Sequence, residues 1–378
     1  MKNELKNLRT WIEIDSKSAR KNYEAFRKVL SPRTKLWAVV KSNAYGHGLV
    51  VFSKLLDGFG IDGFCVDSAV EGLTLRRVGI KKPILVLGPT LPDFFGEAAQ
   101  KKLILTVADF DSLKTLLRTK NQPEFHIKID TGMHRQGFYL NELLKVIALI
   151  KGPRSKIGNR LKGIYTHFAG ANNLRHLNYT EKQLLEFQKA IRQFDQAGFA
   201  RIMKHCAATG ATLIDKKYHL DAVRIGIGCY GLWPSSELKK KFGRTVILCP
   251  ALSWRAVISS VKSVKAKDYI GYDFTERIKV NGEIAILPIG YWHGFPGALS
   301  SVGEVLIYGK RAKVLGRVSM DLTEIGVSRI KCRPGDIVTL VGKSGGAEIS
   351  AEDAAQRSGT THYEFLTRLN PLIERVLV

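Results

Sequence analysis

The sequence predicts an α/β chain with an N-terminal (β/α)8 TIM barrel over residues 1–245 and a C-terminal mainly-β domain over 246–378. Three observations carry this. Eight short β-prone apolar runs recur in the first part, and helix-period stretches separate them. Beyond about residue 245 the helical periods nearly vanish. A chain of 378 residues, 45% of them hydrophobic, has enough apolar material for two cores.

The eight runs are KLWAVVK (35–41), DGFCV (62–66), PILVL (83–87), LILTV (103–107), FHIKID (125–130), GIYTH (163–167), IMKHC (202–206) and AVRIG (222–226). Before the first, SARKNYEAFRKVL places Ala19, Tyr23, Phe26 and Leu30 on one helical face, and TEKQLLEFQKAIRQFDQAG does the same work before the seventh. Dense strands and turns follow in WRAVISSVKSV, GEIAILPIG, GEVLIYG, AKVLGRV and GDIVTLVG. Neither a low-complexity linker nor an internal repeat separates the halves, so two closely packed domains are expected.

Composition narrows the function classes. No apolar stretch approaches the ~20 residues of a membrane helix, and MKNELKNLRTWIEID lacks a secretory apolar core, which predicts a cytoplasmic protein without a membrane partner. Five cysteines, widely spaced and without a C-x-x-C pair, indicate neither a disulfide framework nor a zinc site. The net charge of +25 raises nucleic-acid binding as a reading, but the 59 Lys and Arg are spread along the chain without a basic tail or a nucleic-acid motif. A solvated basic surface with weak attraction to anions is the simpler account.

In barrels of this kind chemistry gathers at the carboxyl ends of the strands, and the polar residues of this chain fall there. AVVKSNAYGHG (38–48) ends an apolar run in Lys41; a poorly solvated lysine at a pocket mouth can form an imine with an aldehyde, although most such lysines simply reach water. Lys128, Asp130 and Arg135 lie at or beyond the fifth strand, His167 ends the sixth, Thr209 follows the seventh and Arg224 lies in the eighth. In VRIGIG, Gly226 and Gly228 directly follow that strand, where backbone N–H groups can cradle a phosphate. A phosphate cradle together with an imine-forming lysine points to pyridoxal 5′-phosphate. No metal site is indicated.

With these motifs the chain resembles the alanine racemases, pyridoxal-phosphate enzymes of fold type III. The resemblance rests on AVVKSNAYGHG together with TWIEID, PILVLG, KIDTGMHRQGF, YTHFAG, VRIGIGCYGL, GYDF, LPIGYWHGFP, LGRVSMD and HYEFLTRL, in order over nearly the whole chain. It implies Lys41 as the Schiff-base lysine, Tyr272 as the second catalytic base, and Tyr45, Thr209, Gly226, Ile227 and Tyr363 as phosphate contacts. Arg224 would face the pyridine nitrogen. Arg135 would contact the cofactor phenol oxygen and the substrate carboxylate, Lys128 is the position often carbamylated, Met320 would offer backbone contact to the substrate carboxylate, and Tyr291 would border the entrance. The resemblance also implies that WIEID joins the β domain, and that the protein is a head-to-tail homodimer with shared active sites. Departures are His293 where the family usually carries Asp, Gly297 in place of a common basic residue, and Thr209 where Ser is frequent.

Racemisation takes the α-proton from one face of an amino acid and returns one to the other, so two acid/base groups must flank the reacting carbon. By analogy Lys41 serves the D-enantiomer and Tyr272 the L-enantiomer. A phenol with a pKa of ~10 needs a neighbour that favours its ionised form or accepts its proton, and His167 is the candidate. Arg224 keeps its own proton, which favours racemisation over transamination. The expected function is interconversion of L- and D-alanine, supplying D-alanine for peptidoglycan. A broad-specificity racemase of the same fold is the nearest alternative, and a non-enzymatic carrier of pyridoxal phosphate, which would lack Tyr272 and the β domain, is a further one.

Overall fold

In the computed structural model, which describes residues 7–152, 155 and 157–378, the eight apolar runs become eight parallel strands closed into a barrel. After β1 (Thr10–Ile14), the barrel strands are β2 (Lys35–Val39), β3 (Gly63–Val66), β4 (Ile84–Val86), β5 (Ile104–Val107), β6 (Glu124–Lys128), β7 (Leu161–Tyr165), β8 (Met203–Ala208) and β9 (Ala222–Ile225). Closure is made by β2 on β9, with Trp37 opposite Arg224. Strands covered on both faces need apolar residues at successive positions, which is why these runs are continuous rather than alternating. The predicted fold class is borne out.

The barrel interior is filled by large side chains set against glycine. A Cβ on Gly63 would lie 2.9 Å from the Trp37 ring, and one on Gly163 would lie 2.7 Å from His126. The helices outside are capped by their own sequence: Ser68 accepts from Glu71 N–H ahead of Ala69–Arg77, and Asp109 from Ser112 N–H ahead of Phe110–Arg118. The helix Ser16–Val29 buries Ala19 and Phe26 as its periodicity predicts, and also Asn22. Asn22 accepts from Cys249 N–H (2.8 Å) and donates to the carbonyls of Cys249 (2.8 Å) and Cys229 (3.4 Å). Replacing it leaves buried backbone groups without partners, at about 1–3 kcal/mol for each group. Asn22→Ala is therefore expected to destabilise the barrel by about 3 kcal/mol, read as a lower urea midpoint with an unchanged slope.

The chain divides into two compact units: residues 17–42 with 52–250, which include the barrel, and residues up to 16 with 43–51 and 251–378. The second unit is a sheet of ten strands. After β10 (Leu252–Val257) come β11 (Ser260–Val264), β12 (Tyr269–Ile270), β13 (Glu276–Arg277), β14 (Gly282–Leu287), β15 (Glu304–Ile307), β16 (Lys310–Leu315), β17 (Thr323–Gly326), β18 (Ile337–Ser344), β19 (Ala347–Ile349) and β20 (Glu374–Leu377). The order is β11-β14-β17-β16-β15-β18-β10-β1-β20, with β19 on β18 and β12-β13 as a separate ribbon. β1 lies antiparallel to β10 and parallel to β20.

Where the chain leaves β2 it does something the sequence does not announce. Ser42, Asn43, Ala44 and Tyr45 take φ values of 54°, 55°, 53° and 50°, one turn of left-handed helix made without glycine. Each such residue costs about 1–2 kcal/mol, so the turn must be held by its surroundings. Asn43 accepts Gly48 N–H on its carbonyl (2.9 Å) and Leu49 N–H on Oδ1 (2.8 Å), and Arg375 donates from Nε and Nη2 to Gly46 O at 3.2 and 3.0 Å. Gly46 has no room for a side chain, because a Cβ there would lie 2.0 Å from Leu366 O.

Candidate active site

β2 stops at Val39, so Lys41 stands two residues beyond the strand rather than on its end. Its ammonium meets Asp67 Oδ1 at 3.2 Å, with more than a third of the side chain still open to solvent. Asp67 follows β3 directly and escaped the sequence reading, although the rule that singled out the other strand ends applies to it equally.

The rim that follows is densely cationic. Lys128, at the end of β6, is buried and donates to Gln136 Oε1 (2.9 Å). Burial, Arg135, Arg224 and Lys41 push its amine down to about 8 against the opposing pull of Asp130. Among the described residues Asp130 takes no cation into a close pair. Although burial opposes its ionisation, N–H bonds from Gly132, Met133, His134 and Arg135, at 2.9–3.1 Å, hold it below the usual carboxylate range. This acceptor shapes the loop that presents Arg135. His167, two residues past β7, is pushed down to about 3 by burial, then by Arg224, Arg135, Lys128 and Lys41, so it is neutral at neutral pH.

Arg224 is fully enclosed. Its guanidinium donates to the carbonyls of Thr166 (2.8 Å) and Cys206 (3.2 Å), to His205 Nδ1, and at 3.4 Å to His167 Nδ1. Because arginine can only donate, His205 must accept on Nδ1 and carry its proton on Nε2, which points at His126 Nδ1 at 2.9 Å. Burial and then Arg224 lower both histidines, His126 to about 3, so the pair is neutral and its tautomers are fixed. Tyr165 stacks on His205 at 4.8 Å, lies under the Arg224 guanidinium at 5.0 Å, and meets Thr106 Oγ1 at 2.9 Å. Sequence reading missed this layer; its signal is the histidine inside each of two apolar strands, FHIK and MKHC.

Beside Arg224, Thr209 opens the short helix Thr209–Ile214 and its Oγ1 accepts from Gly226 N–H (3.1 Å) and Gly228 N–H (3.5 Å). Hydroxyl and backbone donors thus converge on one spot. Gly228 is required there, since a Cβ would lie 2.4 Å from the Phe26 ring. Lys41, Lys128, Arg135, His167, Thr209, Arg224, Gly226 and Ile227 all belong to this barrel unit.

The other predicted residues belong to the β unit. Tyr45 and Tyr363 pair with ring centroids 6.2 Å apart, and burial raises the Tyr363 phenol to about 12. Tyr272 is 68% exposed in a bend where Gly271, Asp273 and Phe274 have φ of 71°, 58° and 55°, steadied by Arg317 on Asp273 at 3.0 Å. Met320 gives its carbonyl to Trp292 N–H (3.0 Å), while its own N–H has no protein acceptor among the described residues. Tyr291 sits in the adjoining turn, its N–H on Ser319 O at 3.0 Å.

Comparison with known proteins gives these residues a family. The family model for the alanine racemase N-terminal domain matches residues 14–234, and that for the C-terminal domain matches residues 251–377. The chain belongs to the alanine racemase family. Relatives named alanine racemase include that of Leptospira interrogans, 34% identical over 98% of this chain and 96% of its own, and that of Desulforamulus reducens, 36% identical over 97% and 98%. The crystal structure of alanine racemase from Bacillus anthracis with bound L-Ala-P superposes with a TM-score of 0.92 at 34% identity, over 98% of this chain and 95% of the other. An alanine racemase from Clostridium difficile gives 0.91 at 31%, over 98% and 96%. Likeness to the alanine racemases thus runs through both units.

Proposed function

We propose that the protein interconverts L-alanine and D-alanine, with pyridoxal 5′-phosphate as cofactor and Lys41 and Tyr272 as the groups that carry the α-proton. The observation that supports this most directly is the rim of Lys41, Lys128, Arg135 and Arg224 beside a neutral His167 and a cradle of Thr209, Gly226 and Ile227. Among the described residues these four cations have one closely paired carboxylate, Asp67, since Asp130 is turned onto backbone N–H groups. Such a site fits a small molecule with several negative charges, as a phosphorylated cofactor and an amino-acid carboxylate would supply.

Thr209, Gly226, Ile227, Tyr45 and Tyr363 would hold the phosphate, Arg224 the ring nitrogen, and Arg135 with the open Met320 N–H the substrate carboxylate. Lys41 would hold the cofactor until the substrate amine displaces it, and the cofactor would supply the electron withdrawal that acidifies the α-proton. The freed Lys41 Nζ would then take or return that proton on one face and Tyr272 Oη on the other. His167, neutral at neutral pH, would be the neighbour that accepts the Tyr272 proton. Arg224, a guanidinium that keeps its proton, would not protonate the cofactor ring nitrogen, which would limit electron withdrawal and favour proton return over side reactions. An amine held at about 8 is partly unprotonated at neutral pH, the form that adds carbon dioxide, which suits Lys128 to carbamylation.

Tyr272, Phe274, Tyr291, Trp292 and Met320, all on the β unit, are each more than half exposed, as large apolar and aromatic side chains at protein interfaces often are. We take these residues as part of the interface of a head-to-tail homodimer that shares its active sites. No helix among the described residues is long and apolar enough to cross a membrane, and we place the protein in the cytoplasm, making D-alanine for peptidoglycan. The test is D-amino acid formation from a panel of L-amino acids by the purified holoenzyme. Alanine is expected to turn over fastest; comparable rates on larger side chains would favour a broad-specificity racemase, and no racemisation of any member would reject the assignment.

A further inference from the structure

The Gly290–Gly294 turn, which carries Tyr291 and Trp292, is closed by an unusual acceptor. Its backbone bonds run from His293 N–H to Gly290 O (3.0 Å), Gly294 N–H to Tyr291 O (3.1 Å) and Phe295 N–H to Gly290 O (3.2 Å). One donor remains, the N–H of Gly290, and it is met at 3.2 Å by Nδ1 of the His293 ring. A side chain that reaches back to the first residue of a turn is normally a carboxylate or amide, which accepts over the whole neutral range; imidazole accepts only while neutral. The turn is also pressed against the Ser319–Met320 backbone. Tyr291 and Trp292 donate to the carbonyls of Ser319 and Met320, and a Cβ on Gly290 would lie 2.1 Å from Ser319 O.

The charged surroundings of the ring supply a second position for it. Asp321 Oδ1 lies 3.9 Å from Nδ1, on the residue that directly follows Met320. Arg9, ahead of β1, is the opposing charge. From the segment beyond the last helix, Asn370 donates its N–H to the His293 carbonyl (3.2 Å), and Arg368 is occupied by Glu364 at 2.7 Å. Within the turn Tyr291 and Trp292 bring no charge. Burial first, and then Arg9, lower the ring against the pull of Asp321, so it is neutral at pH 7 and titrates on the acid side of the usual histidine value.

We propose that His293 is a positioning residue for substrate binding: its neutral ring holds the Gly290 N–H and keeps the turn seated on Ser319–Met320, and the protonated ring releases that N–H and turns to Asp321, dragging the backbone beside Met320. The effect on the substrate rests on the reading of Met320 N–H as a contact for the substrate carboxylate; the exchange of acceptor does not. As pH falls through the ring's pKa, Nδ1 gains a proton that faces the Gly290 N–H, two donors oppose each other, and the Asp321 carboxylate is the charged acceptor within reach.

Two measurements on the holoenzyme decide it. Nitrogen-15 NMR of the imidazole should show Nδ1 unprotonated at pH 8, with a titration midpoint below 6.5, and the Gly290 amide should shift with that same midpoint. This readout needs no turnover, so it stands even if alanine proves not to be the substrate. A protonated Nδ1 at pH 8, or a Gly290 amide indifferent to the titration, overturns the proposal. In kinetics, KM for L-alanine should rise about five-fold across the titration while kcat changes less than two-fold, the scale of one lost hydrogen bond. His293→Asn supplies a neutral amide oxygen in place of Nδ1 at every pH and should abolish the rise, while His293→Ala should keep KM high throughout. An acid-side KM rise in His293→Asn equal to that of the unmutated enzyme overturns the proposal as well.

Discussion

Lys41→Ala is expected to lose covalent attachment of pyridoxal phosphate and to reduce racemisation by about 10³-fold or more, since the proposed nucleophile and proton carrier are the same amine. The rim contains a competitor that makes the test exacting. Lys128 is the lysine whose amine is pushed down to about 8, so on acidity alone it is well suited to attack an aldehyde. Geometry favours Lys41. Lys128 is buried, bonded to Gln136 and lies 5.7 Å above the Tyr165 ring, whereas Lys41 keeps more than a third of its side chain open and is held only by the exposed Asp67. Borohydride reduction of the holoenzyme followed by peptide mapping should place the adduct in the peptide containing AVVKSNAY. An adduct on Lys128, or on any other lysine, would overturn the assignment.

The barrel was legible because each strand is an apolar run of three to six residues set between helices, and burial on both faces demands that pattern. The rim residues followed from one rule, that polar groups at carboxyl ends of strands face the site. The same rule misplaced Lys41 and His167 by two residues, since β2 ends at Val39 and β7 at Tyr165. What stayed hidden depends on tertiary contact. Four residues in a left-handed turn have no local signature, because Ser, Ala and Tyr disfavour it, and tertiary bonds such as those made by Asn43 and Arg375 help to hold it. The tautomers of His205 and His126 are set by an arginine on another strand, and Asn22 looks like an ordinary polar residue on a helix until Cys249 arrives from 227 positions away. The role of His293 is likewise invisible without the Gly290 N–H beside it.

Tyr272→Phe is expected to reduce racemisation by about 10³-fold while cofactor binding and stability persist, since the ring is largely exposed and only its hydroxyl is removed. Exchange of the α-proton with solvent deuterium should survive best from D-alanine, the face left to Lys41. Equal loss from both enantiomers, with cofactor retained, would count against two separate proton carriers. The same variant tests the shared site. Lys41 lies in the barrel unit and Tyr272 in the β unit, so a two-fold dimer can bring each onto the other chain's partner. When Lys41→Ala and Tyr272→Phe proteins are unfolded and refolded together, a mixed dimer would contain one site with both lesions and one site with neither. Random pairing makes half the dimers mixed, so activity should return to roughly a quarter of the unmutated level. If Tyr272 instead serves the Lys41 of its own chain, every site in the mixture keeps one lesion, and activity stays at the level of the separate variants even when exchange of subunits is demonstrated.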